Sequence, residues 1–426
     1  MIERDLFHKI VPWLDEEKII VINGARQVGK TTLLYALKQH LEKRGEKTAY
    51  FAADQELGNP IFQDAKLFLR FAEEQYLASG EKRVYIFLDE FQYISAAGLF
   101  LKQICDRERR RIHLVVSGSS SLEIAKNSEF LTGRKISFHL SSFSFREYLR
   151  ARSKMRYDFS WKQDSDISAL EEFYRIYGED LKRHFLDYVA WGGYPETATT
   201  EDPQKREAIL KDIVSTYIQK DVAGFLRVEN ISAFNKLVAL LGRGVGNLVN
   251  KTELANTLDL NIKTIDKYLD MLEGTYVFSL LRPFHSNIRK TLTKTPKVYV
   301  HDFGVLKCVL RDTEVIRAPE LLEGNRVENF VFNEISRARD SADLFFYRTA
   351  SGAEVDFVVR TAPTILIEVK WRAARQKTPS VMRALKEELG SDTALLVTTR
   401  DELRLDAEGT LFVPASVLPF VMMVKK

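Results

Sequence analysis

Cysteine is nearly absent from this chain. Cys105 and Cys308 are the only two among 426 residues, too few and too far apart for a disulfide framework or a thiolate metal site. Long apolar runs are missing as well: nothing approaches the roughly eighteen consecutive apolar residues that a membrane-crossing helix needs. The amino terminus, MIERDLFHKI, mixes charged and apolar residues and lacks the apolar stretch of a secretory signal. These absences point to the cytoplasm and to no membrane partner. There is no internal repeat and no low-complexity segment. A strong charge of one sign is lacking too, since +4 over this length gives the chain no general affinity for polyanions. Positive charge is local instead. Arg282, Arg289, Lys290 and Lys294 lie in RPFHSNIRKTLTK without an acid. Lys370, Arg372, Arg375, Lys377, Arg383 and Lys386 do the same in KWRAARQKTPSVMRALK. Each run is either a solvated face or a place for a polyanion such as DNA.

What is present is a globular balance, 45% hydrophobic and 29% charged, on a chain long enough for two or three domains. The first 150 residues alternate short apolar runs with helical patterns. The runs KIIVIN (18–23), TAYF (48–51), VYIFLD (84–89), HLVVSG (113–118) and ISFHL (136–140) read as strands. Several are apolar at nearly every position, as strands covered on both faces are. Stretches such as TTLLYALKQHLEKRG lie between them, so the class is α/β with a parallel sheet. Residues 151–240 turn helical and aromatic, broken by a loop over 192–204. Further regions open near 241 and 291.

The first run leads directly into Gly24, Ala25, Arg26, Gln27, Val28, Gly29, Lys30, Thr31 and Thr32, which follow the pattern G-x-x-x-x-G-K-[ST]. A strand precedes this loop and a helical pattern follows it. Glycines let successive N–H groups turn inward toward phosphate oxygens, and the helix N-terminus adds partial positive charge. Lys30 is placed to reach the terminal phosphates of ATP, and the Thr31 hydroxyl to ligate Mg²⁺. Such a loop needs a carboxylate at the end of a nearby strand. VYIFLDEFQYI supplies Asp89 to hold Mg²⁺ and Glu90 to orient and deprotonate water. HLVVSGSSS ends in small polar residues, of which Ser117 and Ser119 are candidates to contact the γ-phosphate or the water. After a short helix, Arg134 stands directly before the next strand. It is either a surface arginine or one that reaches a neighbouring subunit's nucleotide in a homo-oligomer; Arg26 is equally open.

The order GARQVGKTTLL, VYIFLDEFQYI, LVVSGSSSLEIAKNSEFLTGRK, LSSFSFREYL resembles the prokaryotic AAA-superfamily ATPases that carry a C-terminal domain of unknown function. The resemblance spans almost the whole chain. It implies an AAA core over 1–150 with Walker A and B motifs, a sensor-1 polar residue and an arginine ahead of the fifth strand. A helical lid or linker over 151–240 follows, without a recognisable sensor-2 arginine.

Residues 241–290 read as a winged helix-turn-helix. Thr252 is placed to cap a short helix, DLN to turn the chain, and Ile262, Ile265, Leu269 and Leu272 mark one face of a second helix. Its outer side offers Asn261, Lys263, Thr264 and Lys267, but also Asp266 and Asp270, so the module either reads DNA or docks on protein. In 291–426, a helix bearing Glu328 precedes Asp356 on one strand and Glu368 with Lys370 on the next. Period two puts Glu368 and Lys370 on one strand face. This arrangement resembles the PD-(D/E)xK restriction-endonuclease fold, with Val355 where that motif has proline. The resemblance implies carboxylates around Mg²⁺ or Mn²⁺ and a lysine that helps activate water.

Three functions follow: an ATP-hydrolysing machine whose C-terminal domains engage DNA, an ATP-regulated DNA nuclease, or a nucleotide-dependent scaffold with little turnover.

Overall fold

Every residue of Val84–Asp89 and Ile112–Gly118 is buried, as the middle strands of a sheet with helices on both faces must be. The computed structural model describes residues 2–77, 82–119, 131–153, 155, 157–162, 166–217, 228–285, 294–312, 318–338, 343–372 and 376–421. The expected short helix before Arg134, and also Arg289, Lys290 and Arg375, lie outside the described residues. Two compact units emerge. One comprises Met1–Phe143, Ser215–Arg227 and Asp270–Val277; the other comprises Ser144–Val214, Val228–Leu269 and Phe278–Lys426.

The first unit holds β1 (Ile19–Asn23), β2 (Lys47–Ala52), β3 (Val84–Asp89), β4 (Ile112–Gly118) and β5 (Lys135–His139) in one parallel sheet ordered β2-β3-β4-β1-β5. Each strand agrees with its apolar run in the sequence to within one residue at either end. The order brings the carboxyl ends of β1, β3 and β4 together, where open α/β sheets bind ligands. The helix Lys30–Lys43 buries Leu33, Leu34, Leu37 and Leu41, one stripe at helical spacing. On one face of the sheet, Phe62, Phe68 and Phe100 join Ile86, Leu88, Leu114 and Val116 in one apolar cluster.

The second unit begins with helices. ALEEFYRIY and DLKRHFLDYVAW form one continuous helix, Ile167–Trp191, capped by Asp166, whose side chain accepts from the Ser168 N–H. Residues 192–204, expected as loop, contain a short helix, Pro195–Thr199; Pro195 at its first position explains how it starts. Helices Ile231–Arg243, Lys251–Leu258 and Ile262–Gly274, the last of which belongs to this unit as far as Leu269, precede the antiparallel pair β6 (Phe278–Leu281) and β7 (Lys297–Val300). Asn250, not Thr252, caps the second of these helices: its side chain accepts from the Glu253 N–H at 3.2 Å. Asparagine one residue earlier offers an acceptor with the reach to bond N3, which leaves Thr252 exposed in the first turn.

A second sheet holds β8 (Leu344–Arg348), β9 (Glu354–Val359), β10 (Ile365–Lys370), β11 (Ala394–Thr399), β12 (Arg404–Leu405) and β13 (Thr410–Pro414), ordered β12-β13-β11-β10-β9-β8. Neighbours β10–β11 and β11–β13 run parallel and the other pairs antiparallel. The helix Gly324–Ala338 is tied to β7 by Asn329, whose amide donates to the Val300 carbonyl at 2.9 Å while its oxygen accepts from the Val300 N–H at 2.8 Å.

One buried carboxylate fastens the middle of this unit. Asp302 accepts from the N–H groups of Gly193 and Gly304, each at 2.8 Å, and of Val305 at 3.3 Å. A β-carbon on Gly192 (φ +77°) would meet Asp302 Oδ1 at 2.2 Å, so glycine there is required on two counts. Asp302→Ala is expected to cost about 3 kcal/mol or more, because three N–H groups lose their acceptor in a buried place. Urea unfolding checks this, and a midpoint equal to wild type contradicts it; Asp302→Asn should recover part of the loss.

Candidate functional site

The site is built at the carboxyl ends of β1, β3 and β4. Gly29 takes φ +96° at the start of the helix Lys30–Lys43, a left-handed conformation that favours glycine. A β-carbon on Gly24 would lie 2.1 Å from the Leu140 carbonyl oxygen, so the loop closes only with glycine. Below the loop, the buried Arg4 donates to the carbonyls of Val28 at 2.7 Å and Ser141 at 2.6 Å and lies over the Phe143 ring. No pattern in the sequence marks Arg4, since its partners are 24 and 137 residues away.

Lys30 is buried, and its ammonium donates to the carbonyls of Gly24 at 3.1 Å and Ala25 at 2.9 Å. The same nitrogen lies 4.0 Å from Glu90 Oε1. Thr31 Oγ1 donates to Asp89 Oδ2 at 2.5 Å, so the first turn of the helix and the end of β3 meet. Asp89 is buried and also accepts from Tyr50 Oη at 2.9 Å and from Ser117 Oγ at closer range. Burial, with Asp89 beside it, holds the Tyr50 phenol far above its ordinary value, which keeps it a donor at any working pH. Tyr35 stacks on Tyr50 at 4.6 Å between ring centroids.

Glu90 sits at φ +52°, an uncommon conformation for a side chain with a β-carbon. Its backbone N–H donates to Asp89 Oδ1 at 3.1 Å and to Ser117 Oγ at 3.3 Å. Its carboxylate accepts from Gln92 Nε2, which also donates to Ser119 Oγ at 3.1 Å. The two serines therefore divide: Ser117 touches the acid at the strand end, and Ser119 reaches the site through Gln92. Ala25, Arg26 and Thr32 line the loop and helix start, half-buried or exposed, and Gln27 is exposed at φ +60°.

Arg134 lies elsewhere. Its carbonyl accepts from the Ile19 N–H at the amino end of β1, the edge of the sheet opposite to the loop. Its guanidinium pairs with Asp106 and donates to the Thr132 carbonyl at 3.3 Å.

In the second unit, the Asp356 N–H donates to Glu368 Oε2 at 3.3 Å, and the Val369 N–H donates to Asp356 Oδ2 at 2.8 Å. Lys370 Nζ bonds Glu368 Oε1 at 2.5 Å. Burial pushes the Asp356 carboxyl well above its ordinary range, and the Glu328 and Glu368 charges add to this. Glu328 does not bond these two directly; its Oε1 accepts from Tyr299 Oη at 2.6 Å and from Lys297 Nζ at 2.9 Å. Lys297, on β7, was invisible to sequence reasoning. Burial disfavours its charge, yet Glu328, Asp356 and Glu354 beside it raise its pKa above the usual lysine value. Arg372 and Lys377 are exposed. Among the described residues, no three His, Cys, Asp or Glu side chains are arranged to hold a metal ion, and no helix is long and apolar enough to cross a membrane.

Residues 16–149 match the family model of an AAA domain, whereas 182–315 and 323–418 match two domains of unknown function. By this measure the N-terminal region is similar to AAA domains. An uncharacterized protein of Haemophilus influenzae is 25% identical over 86% of both chains. One from Mycobacterium tuberculosis is 26% identical over 91% of this chain and 77% of its own. Among solved structures, the replication initiator DnaA bound to AMPPCP and single-stranded DNA covers 64% of this chain and 90% of its own at 15% identity, with a TM-score of 0.31. Pif1 helicase from Candida albicans covers 34% and 41% at 16% identity, with a TM-score of 0.26.

Proposed function

We propose that this chain binds ATP with Mg²⁺ and hydrolyses it at the site formed by Lys30, Thr31, Asp89 and Glu90. The observation that carries this is the Thr31–Asp89 hydrogen bond of 2.5 Å. It unites the hydroxyl and the carboxylate that P-loop enzymes use to hold Mg²⁺, within reach of a lysine and a second acid. The donor set fits the ion: both groups are hard oxygens at the mouth of a glycine loop. Bound there, Mg²⁺ neutralises charge on the phosphate oxygens.

The chain's own residues do the rest. Lys30 now satisfies its ammonium with two loop carbonyls, and a triphosphate competes for that ammonium with full negative charge, which makes the stronger bond. The loop N–H groups and the helix start add donors that need no rearrangement. Asp89 stays fixed by Tyr50 and Ser117. Glu90 takes the proton from the attacking water, aimed by Gln92. Gln92→Ala is accordingly expected to lower kcat by roughly tenfold, the equivalent of a lost hydrogen bond to a charged group at about 1.5 kcal/mol, with ATP affinity kept. A kcat equal to wild type removes Gln92 from the site.

The second part of the reading is that ATP turnover drives C-terminal domains that engage DNA. Three helices and an antiparallel strand pair in winged-helix order support it, as do exposed Asn261, Lys263, Lys267 and Arg282. Asp270 is exposed beside them, which favours a contact with few phosphates. ATPase rates measured with and without single- and double-stranded DNA test both parts. No turnover under any condition rejects the first; a rate indifferent to DNA, with no DNA retained, rejects the second.

A further inference from the structure

The PD-(D/E)xK resemblance implies a divalent cation among Glu328, Asp356 and Glu368, but the chain already carries a cation at that place. Lys297 is buried. Its Nζ lies 2.9 Å from Glu328 Oε1 and 3.7 Å from Asp356 Oδ1, and it forms a shorter pair with Glu354 Oε1. We infer that Lys297 is the resident cation of this cluster, that it excludes Mg²⁺ and Mn²⁺ from these carboxylates, and that it clamps β7 to β9 instead of serving a metal-dependent nuclease.

Most of the carboxylate oxygens that would face a metal already have partners. Mg²⁺ demands oxygens at about 2.0–2.1 Å in near-octahedral order and gives up water reluctantly. Glu328 Oε1 is shared by Lys297 and Tyr299. Asp356 Oδ2 accepts from the Val369 N–H. Glu368 accepts from the Asp356 N–H through Oε2 and from Lys370 through Oε1. Glu354, the third partner of Lys297, is also approached by Arg348 at 3.5 Å. A metal bonded to both Glu328 and Asp356 would have to share their near oxygens with a buried ammonium, setting a doubly charged ion against a fixed like charge. The lysine is not free to leave, because its strand is held to the helix of Glu328 by the Asn329 pair with Val300. The carboxylate–lysine geometry of the sheet therefore persists with its charge answered from within the chain. This goes beyond the ATP site and does not depend on it.

The test is Mn²⁺ uptake by the full chain without nucleotide, followed by the loss of the free-ion electron paramagnetic resonance signal. Wild type and Asp356→Asn should take up Mn²⁺ equally. Lys297→Met should gain one Mn²⁺ per chain, at least tenfold tighter than any site in wild type, and adding Asp356→Asn should remove the gain. Wild-type uptake that falls in Asp356→Asn overturns the inference, and so does a folded Lys297→Met that gains nothing. Should Lys297→Met fail to fold, the comparison of wild type with Asp356→Asn decides alone, because it needs no change at the lysine.

Discussion

Glu90→Gln is expected to lower ATP turnover by about 10²–10⁴-fold, the range that a positioned general base contributes, while ATP still binds. Glutamine keeps the shape of the side chain and can still meet Gln92, but it cannot accept the water's proton at neutral pH. Lys30→Ala should fail earlier, at binding, because it removes the buried ammonium that now rests on the carbonyls of Gly24 and Ala25. The two variants therefore separate two steps at one site. A fluorescent ATP analogue reads the first, and phosphate release reads the second. Turnover by Glu90→Gln at the wild-type rate would move the base elsewhere; tight ATP binding by Lys30→Ala would mean that the loop N–H groups suffice.

Much of the proposed nucleotide site is local in the chain, and for that reason it is legible there. Gly24 to Thr32 form one turn, and Asp89 and Glu90 end one apolar run. Period and punctuation alone put both at a strand's carboxyl end. What escaped the sequence was made by distant pairing. Tyr50 reaches Asp89 across 39 residues, and Ser117, a candidate for its place at the end of a strand, bonds that same Asp89 across 28. Both depend on the strand order β2-β3-β4, which no single run reveals. Asp302 and the Gly192–Gly193 turn are separated by more than a hundred residues, so a glycine pair read only as a loop proved to be half of a buried fastening. The C-terminal cluster divides in the same way. Asp356, Glu368 and Lys370 share adjacent strands and are visible as a pattern. Lys297, the group that neutralises the cluster, belongs to a strand before the helix of Glu328, and nothing in VYV or its neighbours marks it. A motif thus shows which charges meet along the chain but not which charge arrives from elsewhere to answer them.

Arg134 carries the remaining large expectation. Within its own chain it stands at the amino edge of the sheet, paired with Asp106, while the phosphate loop occupies the carboxyl edge. Any contact it makes with a triphosphate must therefore be with that of a second copy. Its surface position suits that task, since a half-exposed guanidinium held by one exposed carboxylate gives up its partner at small cost. Arginines supplied in this way contribute about 10³-fold or more to phosphoryl transfer by stabilising charge on the transferring group. Arg134→Ala alone should lower turnover by about that factor and leave ATP affinity nearly unchanged, because the stabilisation appears mainly in the transition state. The decisive measurement mixes Arg134→Ala with Lys30→Ala. Each chain is inactive alone, but in a mixed assembly the intact loop of one meets the intact arginine of the other, so turnover should reappear and peak near equal proportions. Activity that stays at the sum of the two variants, in a preparation shown to contain mixed assemblies, leaves Arg134 as a partner of Asp106 and nothing more.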